Sequence, residues 1–157
     1  MAEKFTIAIV HGHSKAFVSV KKCIKELGFK PRILKEEYTA ANIFTRFRKL
    51  IWNDIHCVVV LLTGDDKLPQ NKLRARQNVI FELGYCFGSF DKIGNSSGFK
   101  AENAIIVIEE DGIELFADIH GLTTIKFDRG KLSRKKQAII LALQSSYDTA
   151  KTHYDLK

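Results

Sequence analysis

Six consecutive apolar residues, Cys57 to Leu62, constrain this chain more than any other stretch. An uninterrupted, Val-rich run of that length fits a strand covered on both faces, and such strands belong to parallel sheets. A polar loop follows, Thr63 to Lys72, and then helical periodicity from Arg76 to Phe87. The same order recurs along the chain. Phe5 to Val10 reads as a buried first strand, and His11-Gly12-His13-Ser14 as a tight turn with Ser14 capping the next helix. Phe17, Val20, Ile24 and Leu27 recur at helical spacing until Gly28 ends that helix. Arg32 to Leu34 is expected as a second strand and Glu36 to Asn42 as a polar loop. Ile43, Phe44, Phe47, Leu50 and Ile51 form the stripe of a second helix. Beyond the third helix, Gly88 to Asn103 reads as a Gly/Ser/Asn-rich connection, Ala104 to Ile108 as a fourth strand and Asp111 to Leu122 as irregular. Thr124 to Phe127 is expected as a fifth strand. Leu132 to Tyr147 is expected as the last helix, with Ile139, Ile140, Leu143 and Tyr147 inward.

Strands alternating with helices imply an α/β protein, a parallel sheet with helices on both faces. Five such strands fit the flavodoxin-like order 2-1-3-4-5. In that architecture ligands sit outside the carboxyl ends of the strands, at the switch between strands one and three. The rule points to His11 to Ser14, to Asp65 and Asp66, and to the third helix, which starts from the same loop.

On that helix Asn78 and Glu82 are four residues apart and share a face, and Ala75 and Tyr85 extend the stripe. Glu82 is the only charge between Arg76 and Asp91, among Val79, Ile80, Leu83 and Phe87. A carboxylate there must be paired, exposed in a pocket or protonated. Two readings carry equal weight: an acid in the helix's N-terminal half that favours the dipole or pairs with Arg76, and a working carboxylate at the mouth of a cleft.

The 157 residues are expected to form one domain over 1–150, with a polar tail or linker over 151–157. No apolar run approaches the ~20 residues of a membrane helix. The N-terminal Met-Ala-Glu-Lys leads straight into the first strand, so no leader peptide is expected. Cys23, Cys57 and Cys86 are odd in number, widely spaced and set in apolar patterns, which fits buried free thiols in a reducing cytoplasm. The net charge of +7 is spread along the chain. Its densest cluster, Arg129 to Lys136, has no aromatic residues interleaved to stack bases, so a solvated surface is expected ahead of a nucleic-acid groove.

Three pieces of this sequence resemble the signature of bacterial TIR-like domains, the nucleotide-binding domains of CBASS- and Pycsar-type anti-phage effectors, including TIR domains fused to STING cyclic-dinucleotide sensors. They are Ile9-Val10-His11-Gly12-His13, Val59 to Asp66, and above all Ala75 to Tyr85; Asp118 to Leu122 is a weaker fourth. Family members usually carry Pro where this chain has Gly64, a departure expected to change little. The resemblance implies a TIR fold of flavodoxin-like order and an NAD⁺ glycohydrolase in which Glu82 matches the catalytic glutamate. It also implies activation by self-association and control by a fused or associated cyclic-dinucleotide sensor. NAD⁺ is then the substrate, and no separate cofactor is implied.

The chemistry suits a single carboxylate. Ordinary glycosidases need a second carboxyl to protonate the leaving oxygen. Nicotinamide leaves NAD⁺ as a neutral molecule, so one carboxylate can bind the ribose hydroxyls and stabilise the charge developing at the anomeric carbon. Asn78 is the candidate to orient Glu82. Asp65 and Asp66 can hydrogen-bond ribose or the amide, or can serve as turn-former and helix cap. Arg74 and Arg76 suit a pyrophosphate, or either can pair with an acid such as Asp66. His11 and His13 have a metal-binding look, but no other His or Cys sits at a ligand spacing, so no metal is expected. His11 and Gly12 are instead read as substrate contacts, with Gly12 allowing close backbone approach. Trp52 is read as packing or interface. There is no Gly-x-Gly-x-x-Gly, P-loop or Gly-x-Ser-x-Gly elbow. The alternatives are a non-catalytic nucleotide-binding or TIR–TIR interaction module and, behind it, a nucleoside deoxyribosyltransferase-like enzyme.

Overall fold

The computed structural model describes residues 4–34, 45, 48, 49, 51, 55–97, 99–115, 119 and 121–154, with backbone alone for 92–97. Five strands, β1 (Thr6–Val10), β2 (Lys30–Ile33), β3 (Cys57–Leu62), β6 (Ile105–Glu110) and β8 (Thr123–Phe127), form one sheet in the order β2-β1-β3-β6-β8. Every pair in it is parallel. Counted along the chain without the short strands described below, this is the flavodoxin-like order 2-1-3-4-5. The three central strands are buried along their whole length, which is why their sequences are apolar without alternation. The edges differ. β8 alternates toward its end, with Ile125 and Phe127 buried and Lys126 exposed, and β2 carries Pro31, which an edge strand tolerates.

Helix α1 (Phe17–Glu26) buries Val20, Cys23 and Ile24. It ends as its Gly28 requires. Gly28 is left-handed (φ 76°), its N–H donates to the Lys25 carbonyl, and the Phe29 N–H donates to Ile24, the paired bonds of a Schellman end. Its start departs from expectation. Ala16, not Ser14, holds the N-cap position and caps with no side chain, while the Ser14 Oγ accepts the Ala16 N–H within the preceding turn. The last helix begins as a 3₁₀ turn, Leu132–Lys135, and continues as α3 (Lys136–Ala150), burying Ile139, Leu143, Ser146 and Ala150.

The largest correction concerns α2, which runs from Gln77 to Ser97, ten residues beyond Phe87. Glycine inside a helix costs about 1 kcal/mol, and Gly88 was read as the stop. Phe90 lies fully buried one turn further on and Ser89 is buried beside it. Burying such a phenylalanine contributes about 1.5–3 kcal/mol, so packing offsets the weak local propensity. A single helical turn, Ala101–Ala104, then leads into β6. Of the expected helix over 43–51, Thr45, Arg48, Lys49 and Ile51 are described and all four are helical, with Ile51 buried; its other residues and the loop over 36–42 lie outside the described residues. Trp52 lies outside them as well.

The stretches read as loop and irregular chain also hold structure. β4 (Asp66–Lys67) pairs antiparallel with β5 (Leu73–Arg74), and β5 pairs in parallel with β7 (Ile113–Glu114). This three-stranded patch follows β3 and β6 in the chain, beyond their carboxyl ends. At its hairpin tip Gln70 and Asn71 are both left-handed (φ 61° and 58°), and the Lys72 N–H donates to the Pro69 carbonyl. That is the backbone of a type I′ turn, which suits the twist of a hairpin.

Candidate functional site

The carboxyl ends of β1 and β3 are tied together by one carboxylate. Asp65 Oδ2 accepts the His13 backbone N–H at 3.1 Å and the Thr63 hydroxyl at 2.9 Å. Gly12 makes this possible. A Cβ on Gly12 would sit 1.9 Å from that same oxygen and 3.5 Å from Arg76 Cδ. The close approach that Gly12 allows is made here by the Asp65 carboxylate. His11, beside it, stacks its ring on Phe17, centroids 4.1 Å apart at 16°, and its Nδ1 lies 2.9 Å from the Gly12 carbonyl oxygen.

A second carboxylate ties β3, β6 and β8. Glu110 is buried at the end of β6, where its Oε2 accepts the Gly64 N–H at 3.1 Å and its Oε1 pairs with Arg129 Nε. Arg129 also donates from Nη2 to the Gly64 carbonyl at 3.1 Å. The glycine at position 64 is therefore not a neutral departure. Proline there would have no N–H for Glu110, and any Cβ would stand 2.6 Å from Arg129 Nη2 and 2.9 Å from Leu73 Cβ. Between the β1–α1 loop and the segment after β8 lies a cavity of about 570 Å³, walled by Lys15, Gly64, Asp65, Glu110, Arg129 and Ser133.

Glu82 is held differently. It is half-buried on α2 and makes no hydrogen bond or ion pair among the described residues. Burial pushes its carboxyl up from 4.5 to about 7. Burial, and after it the Glu82 charge, pushes up the Cys86 thiol one turn along. The pairing with Arg76 that the sequence allowed is not formed. Asn78 is exposed and makes no hydrogen bond to Glu82. The three thiols are free and buried, as expected.

The predicted residues thus fall into two groups. Gly12, Asp65 and Arg76 converge at the switch between β1 and β3. Glu82 lies on α2 six residues past Arg76, about 9 Å further along the helix axis, and does not line the cavity; of the predicted residues only Asp65 does. Asp66 and Arg74 face each other as neighbours across β4 and β5 without an ion pair, and Arg74 Nε is buried with no hydrogen-bond partner among the described residues.

Residues 6–129 match the TIR domain of the CAP12/Pycsar effector protein family. The chain belongs to this family of bacterial anti-phage TIR effector domains. A relative from Escherichia coli strain K12, the uncharacterized protein YuaY, is 31% identical over 128 residues; the match covers 78% of this chain but only 40% of that protein. A response regulator receiver domain protein from Bacillus halodurans is similar over 87% of this chain and 97% of its own, at 12% identity and a TM-score of 0.44. No helix among the described residues of the TIR domain is long and apolar enough to cross a membrane.

Glu110, Arg129 and Lys15 were missed as site residues. The signal for Glu110 was present: Glu109-Glu110 ends the apolar run Ile105 to Ile108, and a charged pair at the carboxyl end of a buried strand belongs at the ligand rim. Arg129 offers no local signal of its own, because it is one of several basic residues in the cluster Arg129 to Lys136.

Proposed function

We propose that this TIR effector domain is an NAD⁺ glycohydrolase in which Glu82 is the working carboxylate. One observation supports this most: Glu82 is half-buried, has no partner among the described residues, and carries a carboxyl raised to about 7 by burial alone. A desolvated, unpaired carboxylate interacts more strongly with positive charge than a solvated one. The nicotinamide-ribose bond supplies that charge, first on the pyridinium ring and then at the anomeric carbon. A cation placed there would itself favour the ionised carboxylate, and nicotinamide then leaves without a general acid. Arg76, Asp65, Asp66, Arg74, His11, Gly12 and Asn78 are the proposed contacts to the rest of the dinucleotide.

One half-buried side chain on a helix covers little of a ligand as large as NAD⁺, whereas tight sites bury most of a ligand. The missing wall is proposed to come from a second copy of the domain, with the loop over 36–42 reaching it. A fused or associated cyclic-dinucleotide sensor would then act by raising local concentration. The test is free nicotinamide released from NAD⁺ across a protein dilution series. Release per molecule should rise with protein concentration. Constant specific activity would mean that each monomer holds a complete site, and no release at any concentration would remove the activity.

One observation favours the second reading, a nucleotide-binding module without catalysis: the large cavity does not include Glu82. NAD⁺ bound and recovered intact would support it.

A further inference from the structure

We propose that the cavity between the β1–α1 loop and the segment after β8 is a second binding site, for a sugar-phosphate ester, separate from the Glu82 face. At about 570 Å³ it is the size of ordinary small-molecule sites. Its floor includes the buried side chains of Phe127 and Leu132. The polar groups of its wall can be accounted for one by one. Glu110 spends both oxygens on Arg129 and the Gly64 N–H. Asp65 holds the His13 N–H and the Thr63 hydroxyl with one oxygen. The acids are therefore largely engaged inside the protein.

The donors are not. A guanidinium carries five N–H groups; Arg129 gives one to Glu110 and one to the Gly64 carbonyl, which leaves most of its fork open. Lys15 makes no ion pair, and the hydroxyls of Ser19 and Ser133 make no hydrogen bond, among the described residues. Two cations reach the cavity from different loops, with hydroxyls beside them. Asp65 and Glu110 balance the two cations in formal charge, but the open N–H groups of Arg129 and the Lys15 ammonium are oriented donors, which suit the acceptor oxygens of a phosphate monoester. The volume leaves room for the sugar, whose hydroxyls can meet the second oxygen of Asp65, over the apolar floor. Asp65 also links the two places. It walls the cavity on one side and fills the space at Gly12 on the other, where the stem of Arg76 lies. Occupancy of the cavity can thus bear on the loop that leads into α2.

Isothermal titration of the whole chain with AMP, ribose 5-phosphate and adenosine tests this. AMP or ribose 5-phosphate should bind, and adenosine should bind at least about tenfold more weakly, a difference of ~1.4 kcal/mol. AMP alone would identify a nucleotide and both together any sugar phosphate. Lys15→Glu reverses an exposed charge that makes no ion pair among the described residues, so it should weaken the phosphates about tenfold or more. Arg129→Ala is the poorer variant, because it leaves Glu110 buried and unpaired. Arg74→Ala, which removes a proposed pyrophosphate contact and does not wall the cavity, should leave phosphate binding within about twofold, which separates this site from the proposed NAD⁺ site. The proposal is overturned if neither phosphate binds at about 5 mM, where even weak millimolar sites fill. It is overturned equally if adenosine matches AMP, or if Arg74→Ala abolishes binding while Lys15→Glu does not.

Discussion

Asp65 and Glu110 at the strand ends, and Glu82 on α2, are carboxylates in different employment. Asp65 and Glu110 are each held by two donors from different segments, and they fix the loops that leave β1, β3 and β8. Glu82 is half-buried and no described residue answers it. An unpaired, partly desolvated charge costs folding free energy. That cost motivates the proposal that a ligand, and not the fold, answers Glu82. The contrast teaches that conspicuous polar residues at the strand ends can be structural, and it motivates the proposal that the working group is the carboxylate no described residue satisfies.

The comparison breaks first at Glu82. Glu82→Gln keeps the shape and removes the charge, and should lower nicotinamide release by at least ~10²-fold, the scale of losing one transition-state electrostatic contact. If the folded variant retains activity, Glu82 is as structural as Asp65. Next come the glycines that serve the paired carboxylates. Gly12→Ala drives Asp65 off its donors, since its Cβ would stand 1.9 Å from the carboxylate oxygen. Losing hydrogen bonds to a charged acceptor, ~1.5–3 kcal/mol each, should lower unfolding free energy by about 3 kcal/mol in urea. Gly64→Pro removes one N–H from Glu110 and should cost about 2 kcal/mol by the same measure. Both would be near zero if these carboxylates were merely surface acids. Smallest is Asn78→Ala. With no bond from Asn78 to Glu82, it should reduce activity less than about tenfold, under ~1.4 kcal/mol of barrier.

What the sequence revealed and what it hid follow from the range of the interactions. Cys57–Leu62 and Thr6–Val10 are legible as central strands because burial on both faces demands an uninterrupted apolar run. Gly28 is legible as a helix end because a left-handed position selects glycine locally. The continuation of α2 was hidden because it depends on where Phe90 packs, a long-range fact. Likewise the packing of Asp65 against Gly12 and of Arg129 against Gly64 was hidden, because the partners lie 53 and 65 residues away in the chain. Glu82 stood out in the sequence for the same reason that it stands out in the structure: nothing nearby matches its charge.

That mismatch can be read directly by pH. A carboxyl raised from 4.5 to about 7 by burial is favoured protonated in the fold. Its contribution to stability is therefore complete below pH about 4.5 and is lost as pH rises through about 7. Glu82→Gln, which never ionises, should unfold at a higher temperature than the native chain above pH 7, with the gap closing toward pH 4.5. The decisive measurement is the ¹³C titration of the Glu82 carboxyl, assigned as the resonance missing from Glu82→Gln. A midpoint near 7 in the free domain, falling when a cationic nicotinamide ligand binds, is the predicted result. A midpoint near 4.5 would mean a solvated or paired carboxylate and would contradict the account.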